Sequence, residues 1–170
     1  TEVYLLDLTN AEMKKPVFHL EITDEYGYYI GFKSQSICLI TDKSVKSIDF
    51  SGRIRTQYDY EGQQIMLFAD GTLSNTVLVL GNYRYARGSQ VISLDDKCKE
   101  LSTFSYDSAI EKLRADAQGF YYISESQVYH YSYDGKKQSQ VAVSGATGYL
   151  PIGQDLYVST YESIRKLYIR

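Results

Sequence analysis

The chain has 170 residues, 44% hydrophobic and 23% charged, with a formal net charge of -3. This composition can bury a core of its own, and its Lys and Arg are scattered, without the basic footprint that nucleic acid requires. No apolar run approaches the roughly 20 residues of a membrane-spanning helix, and two cysteines are too few for a disulfide framework.

Eighteen Tyr, six Phe and no Trp set the expectation of sheet, because a Tyr ring packs on a pleated surface while its hydroxyl reaches water. In chain order, "VYLLDL" from Val3 and "PVFHLEI" from Pro16 read as strands, followed by "YYIGFKSQS" and the strongly apolar "ICLITD". "VKSIDF" and "RIRTQYDY" come next, then "IMLFADGTLSN" and "TVLVLG". After "GNYRYARGS", residues 81–89, come "VISLDD" and "LSTFSYD". "SAIEKLRADAQ", residues 108–118, is as compatible with a strand as with a helical turn or two. "FYYISES", "VYHYSY" and "SQVAVS" restore the alternation, and "YLPIGQD", "LYVSTY" and "IRKLYI" close the series. Asp-Gly, Ser-Gly, Glu-Gly and Gly-Asn pairs punctuate these runs at hairpin intervals.

Five of the strands are versions of one another: Val3, Val45, Val91, Val128 and Ile164 begin them, at spacings of 42, 46, 37 and 36 residues. Three positions on stand Leu6, Ile48, Leu94, Tyr131 and Leu167, an apolar or aromatic column. Four strands per unit of roughly 40 residues, all in local hairpins, predict the blades of a β-propeller. A β-sandwich also has many short strands, but it does not require one pattern to recur in phase. The expected fold is all-β, with about four blade-equivalents in units near 1–25, 26–61, 62–107, 108–145 and 146–170. Two strands at the start, three full blades and three strands at the end leave one strand beyond a closed four-bladed ring. Either the ring closes with that strand at an edge, or the chain is an arc of a propeller of six to eight blades.

The pattern resembles the bacterial propellers related to WD-repeat, quinoprotein-like (PQQ-like) and YVTN-type families. Units such as "GFYYISESQVYHYSYDGK" are similar to an uncharacterised Tyr-rich propeller family of Gram-positive gut bacteria. That resemblance implies an extracytoplasmic location, with tethering to a membrane through a segment preceding Thr1.

Candidates for chemistry are few. His19 and His130 sit in alternating strands with no second ligand at metal spacing, and there is no G-x-S-x-G elbow. Asp7, Asp49 and Asp95 could form a carboxylate cluster, but their recurrence at strand ends reads as turn capping. Cys38 reads as a small buried hydrophobe and Cys98 as part of a turn, with nothing in the spacing to say they meet. Quinone-cofactor dehydrogenases resemble the repeat but use Trp-rich motifs and adjacent cysteines, which this chain lacks, so no cofactor and no metal are expected.

The candidate binding residues are Tyr83, Arg84, Tyr85 and Arg87, in an expected loop between second and third strands on the same face as "TDEYG", residues 23–27. Tyr and Arg are enriched where interfaces draw their energy, although Arg84 and Arg87 could simply pair with acidic neighbours such as Asp107. The expected function is a non-enzymatic recognition scaffold for a protein, peptide or cell-surface glycan. The alternatives are part of a larger propeller enzyme whose active site lies outside this chain, and a structural spacer.

Overall fold

A computed structural model describes residues 1–6, 16–60, 62–71, 75–82, 85–152 and 155–168; the side chains of residues 82–89, 151 and 168 lie outside that description. Among the described residues there are seventeen strands in five antiparallel sheets. The first sheet pairs β1 (Glu2–Leu5) with β2 (Phe18–Glu21). The second runs β3 (Gly27–Phe32), β4 (Ile37–Thr41), β5 (Ser44–Ile48), β6 (Ile54–Asp59). The third runs β7 (Gln64–Asp70), β8 (Thr76–Asn82), β9 (Tyr85–Leu94), β10 (Glu100–Tyr106). The fourth contains β11 (Lys112–Ala115), β12 (Gly119–Ser124), β13 (Gln127–Ser132) and β14 (Lys137–Ala142), and the fifth β15 (Gly148–Ile152), β16 (Asp155–Ser159) and β17 (Ile164–Tyr168). The ambiguous stretch 108–118 therefore holds a strand, β11, in register with β12 from Lys112↔Ile123 to Ala115↔Phe120.

Strand composition follows position in the sheet. In β4 and β12 every residue is buried, because a second strand is flanked by neighbours in its own sheet and covered on both faces. The outer strand β6 is almost wholly exposed and correspondingly polar.

The sheets stack face to face in chain order, and each interface has its own apolar cluster. Val3 and Phe18 of the first sheet meet Ile37, Leu39 and Ile48 of the second. Cys38, Ile40 and Val45, on the opposite face of the second, meet Leu78, Leu80, Ile92 and Leu94. Val77, Val79 and Val91 meet Phe120 and Tyr122, and Tyr121, Ile123 and Val128 meet Tyr149, Leu156 and Val158. The first residue of each repeated strand thus faces the following sheet. The residue three positions on faces the preceding one, as Ile48 and Leu94 do.

The repeat also governs the turns. Asp49 N–H donates to the Arg53 carbonyl and Asp95 N–H to the Lys99 carbonyl, both at 2.9 Å, while Ser132 N–H donates to the Lys136 carbonyl at 3.0 Å. The fourth residue of each turn has a positive φ: Gly52 at 85°, Cys98 at 58° and Gly135 at 81°. A G1-type bulge after a tight turn needs this left-handed residue, and Cys98 occupies it without glycine's freedom. Between the turns and the next sheet, Ser47 Oγ donates to the Asp96 carbonyl at 3.0 Å and Ser93 Oγ to the Tyr133 carbonyl at 2.5 Å.

Candidate recognition surface

Antiparallel alternation brings two kinds of connection to one end of the stack: links from one sheet to the next, and turns between second and third strands. The β2–β3 link and the β4–β5 turn meet there. Asp24 adopts a left-handed conformation, φ 59°, which Asp tolerates better than most residues. Beyond it Glu25 turns inward and Tyr26 outward. The Glu25 carboxylate accepts from Thr41 Oγ1 at 2.5 Å and Ser44 Oγ at 3.1 Å, and from Lys46 Nζ at 2.9 Å. Burial alone would raise the Glu25 pKa; the Thr41, Lys46 and Ser44 hydrogen bonds outweigh it and hold the carboxyl below its ordinary value.

Tyr26 is fixed by its backbone. Its N–H donates to Asp42 Oδ1 at 2.7 Å, and the Asp42 N–H donates back to the Tyr26 carbonyl at 2.9 Å. Thr1 Oγ1 braces the same link, donating to the Glu25 carbonyl at 2.7 Å and accepting from Gly27 N–H at 2.7 Å. The Tyr26 side chain, 76% exposed, stands beside an open groove of about 560 Å³ lined by Thr1, Asp24, Glu25 and Lys43. An exposed aromatic on a fixed backbone, with Asp24 and Lys43 beside it, offers apolar area together with charge of both signs.

Of the residues expected to bind, Tyr83 and Arg84 lie outside the described residues. Tyr85 and Arg87 have their backbone in β9, and their side chains lie outside the description. The stretch 81–89 is mostly strand, with Asn82 opposite Tyr85, so its hairpin runs on past the ends of β7 and β10. Tyr26 belongs to the "TDEYG" link; its signal is an aromatic in a polar, glycine-terminated connection.

The other candidates separate cleanly. Asp49 Oδ1 accepts from Ser51 Oγ at 2.6 Å and from the N–H groups of Ser51 and Arg53 at 2.9 and 3.0 Å, a cap that holds its carboxyl well below the ordinary range. Asp95 Oδ1 accepts from Lys97 and Lys99 N–H, both at 2.8 Å, and Asp7 lies outside the described residues. His19 stacks on Tyr4 with centroids 4.4 Å apart, on the outer face of the first sheet. His130 stacks on Tyr121 at 4.3 Å, and its buried Nε2 has no hydrogen-bond partner among the described residues. It occupies the repeat position of Ser47 and Ser93. Both cysteines are buried and free, and burial pushes both thiols up. Among the described residues no three His, Cys, Asp or Glu side chains converge as a metal set would.

A buried ion pair went unanticipated. Lys33, in the β3–β4 turn, has a side chain only 1% exposed, and its ammonium pairs with Asp70 of the third sheet. It also donates to the carbonyls of Asn75 at 3.0 Å and Gly71 at 3.4 Å, and the Tyr29 hydroxyl donates to the second Asp70 oxygen at 2.6 Å.

No protein-family model matches the chain, and no curated protein does. Solved structures do. BBS1N, in a crystal structure with ARL6DN, superposes with a TM-score of 0.59 at 9% identity, covering 91% of this chain and 56% of that one. The WD40 domain of Neurospora crassa Pan2 gives 0.54 at 11% identity, covering 85% and 46%, and Kluyveromyces lactis Hsv2 gives 0.51 at 10%, covering 86% and 47%. The chain spans about half the length of these structures. The fold is that of β-propeller blades.

Proposed function

We propose that this chain is a non-enzymatic recognition scaffold that holds a protein or peptide across the loop face, with Tyr26 as its anchor. The observation that carries the reading is the combination at Tyr26: a fully presented ring on a backbone bonded to Asp42 in both directions. Large exposed rings normally lose conformational freedom on binding, and here the backbone part of that cost is already met by the fold. The proposed second contact is the segment between second and third strands that the sequence expects on the same face, with Tyr83, Arg84, Tyr85 and Arg87. That the BBS1N structure is a complex with ARL6DN gives a precedent for a blade stack holding a protein. Membership of the Tyr-rich Gram-positive propellers, an extracytoplasmic location and a parent of six to eight blades complete the proposal, on the resemblance of the Tyr-rich strands.

The test is panning a displayed random-peptide library on the immobilised chain, then titrating enriched peptides. Tyr26→Ala is expected to weaken them by at least about tenfold, as truncation of a central aromatic does. The reading fails if no peptide is enriched, or if binding survives both Tyr26→Ala and the triple replacement of Tyr83, Arg84 and Arg87 by Ala.

A further inference from the structure

The sixth residue of the repeated strand lies in the turn that follows it, and at Phe50, Asp96 and Tyr133 it alternates between ring and carboxylate. Phe50 stacks on Phe32 with ring centroids 6.4 Å apart. Tyr133 is 9% exposed and packs against the preceding sheet. Its hydroxyl donates to the Asp116 carbonyl at 2.5 Å and lies so close to Gly71 that no Cβ would fit there. Further out at the same interface the Ser102 and Ser93 hydroxyls are hydrogen-bonded at 2.8 Å, and Gly135 packs on the Ser102 Cβ. The space between the third and fourth sheets is thereby closed at this end.

Between the second and third sheets it is not. Asp96 is shorter than Tyr133, and Thr56 and Cys98 stand where Ser102 and Gly135 stand one interface later. A cavity of about 220 Å³ remains, lined by Gln35, Ser36, Ser47, Arg55, Asp96 and Lys97 together with Thr56. It opens at the end of the stack opposite Tyr26, where turns between first and second and between third and fourth strands gather.

The lining carries donors that the fold leaves unused. Ser36 is 6% exposed, and among the described residues its hydroxyl makes no hydrogen bond. A hydroxyl so buried gains from a polar group brought to it. The Arg55 guanidinium is hydrogen-bonded among the described residues through Nε alone, to Asp49 at 3.4 Å, so its two terminal nitrogens are open. The Lys97 ammonium forms no ion pair among those residues. Against these two cations the lining sets one acid, Asp96.

We infer that this cavity is a binding site for a carboxylate group. The planar fork of Arg55 matches a carboxylate in two parallel hydrogen bonds, with the Lys97 ammonium and the Ser36 hydroxyl left for the remaining lone pairs. Asp96 decides between anions: its repulsion doubles when the guest carries a second charge, so a carboxylate is accepted in preference to a phosphate dianion. The carboxylate belongs to an acidic side chain or to a peptide's C-terminus, the same chemistry from two sources. The site lies away from Tyr26 and does not depend on recognition at the loop face.

The test is an NMR titration of the isotope-labelled chain with three acetylated tripeptides: Gly-Gly-Gly with a free C-terminus, Gly-Gly-Glu amide and, as the uncharged control, Gly-Gly-Gln amide. Saturable amide shifts around Ser36, Ser47, Thr56 and Lys97 are expected with a carboxylate peptide and not with the control, and the tighter carboxylate peptide identifies the source. Arg55→Gln and Lys97→Gln are each expected to weaken binding at least about fivefold, as loss of a charge-assisted hydrogen bond does. Asp96→Asn, which keeps the carbonyl that Ser47 uses, is expected to tighten it about threefold by removing a like charge. Circular dichroism checks each fold, and if one variant fails to fold the other two decide. No saturable shift at these residues, equal shifts with the Gln peptide, inorganic phosphate binding more tightly than either carboxylate, or an affinity unmoved by Arg55→Gln and Lys97→Gln overturns the inference. The reporting amides lie at the opposite end from Tyr26, so this outcome is read separately from peptide panning.

Discussion

Replacing Lys33 by Met removes the ammonium while keeping a side chain of similar length. Asp70 keeps its Tyr29 hydrogen bond but loses its cation, and the Gly71 and Asn75 carbonyls lose a donor. Breaking a buried pair from one side costs about 3–5 kcal/mol; partial exposure of Asp70 and the surviving Tyr29 bond place this case near the lower end, about 3 kcal/mol. That is a large share of the ~5–15 kcal/mol by which domains are stable. With a urea slope of about 2 kcal/mol per molar, the unfolding midpoint drops by about 1.5 M. Adding Asp70→Asn removes the orphaned charge, so the double variant is expected to be more stable than Lys33→Met alone, a coupling that a double-mutant cycle reads directly. A loss below about 1 kcal/mol for Lys33→Met, or strictly additive effects, would refute the view that this pair ties the second and third sheets together.

Three further outcomes are expected. Val91→Ala removes two fully buried methyl groups and costs about 2–3 kcal/mol, whereas Ile164→Ala costs under about 0.5 kcal/mol; equal losses would contradict the stacking order. Burial lowers the His130 pKa, so the unfolded chain binds its proton first as pH falls. Stability therefore declines below about pH 6.5, and His130→Phe flattens this part of the profile of urea midpoints. The Cys98 thiol is pushed up to about 12 and Cys38 is raised too, both by burial, so a thiol reagent at about pH 8 reacts with neither until the chain unfolds. Rapid labelling of the native protein at either site would show that the interface between the second and third sheets opens.

The sheets were legible in the sequence because a strand announces itself twice, by alternation and by its recurrence at a fixed place in the repeat. The capping role of Asp49 and Asp95 was legible for the same reason. Lys33 and Lys46 were not: a lysine reads as surface until its partner is known, and Asp70 and Glu25 lie 37 and 21 residues away with no periodic signal. The stretch 108–118 stayed ambiguous because four residues of strand are too few for periodicity to outweigh local propensity, and the pairing of Lys112 to Ala115 with β12 decides it. The 81–89 stretch looked like a loop because Gly, Asn and Arg break the alternation, yet residues 85–89 belong to β9, with Tyr85 opposite Asn82.

The serial contact between neighbouring sheets makes this molecule behave as a short one-dimensional chain. Among the described residues every apolar cluster joins only adjacent sheets, and the serine bonds at Ser47 and Ser93 reach one sheet ahead. Free energy is then carried by four couplings in a row, so disorder enters at the ends and travels inward like fraying in a rope. Amide exchange should follow that gradient, quickest in β1, β2 and β17 and slowest in β8 and β9, whose sheet is the only one with two neighbours on either side.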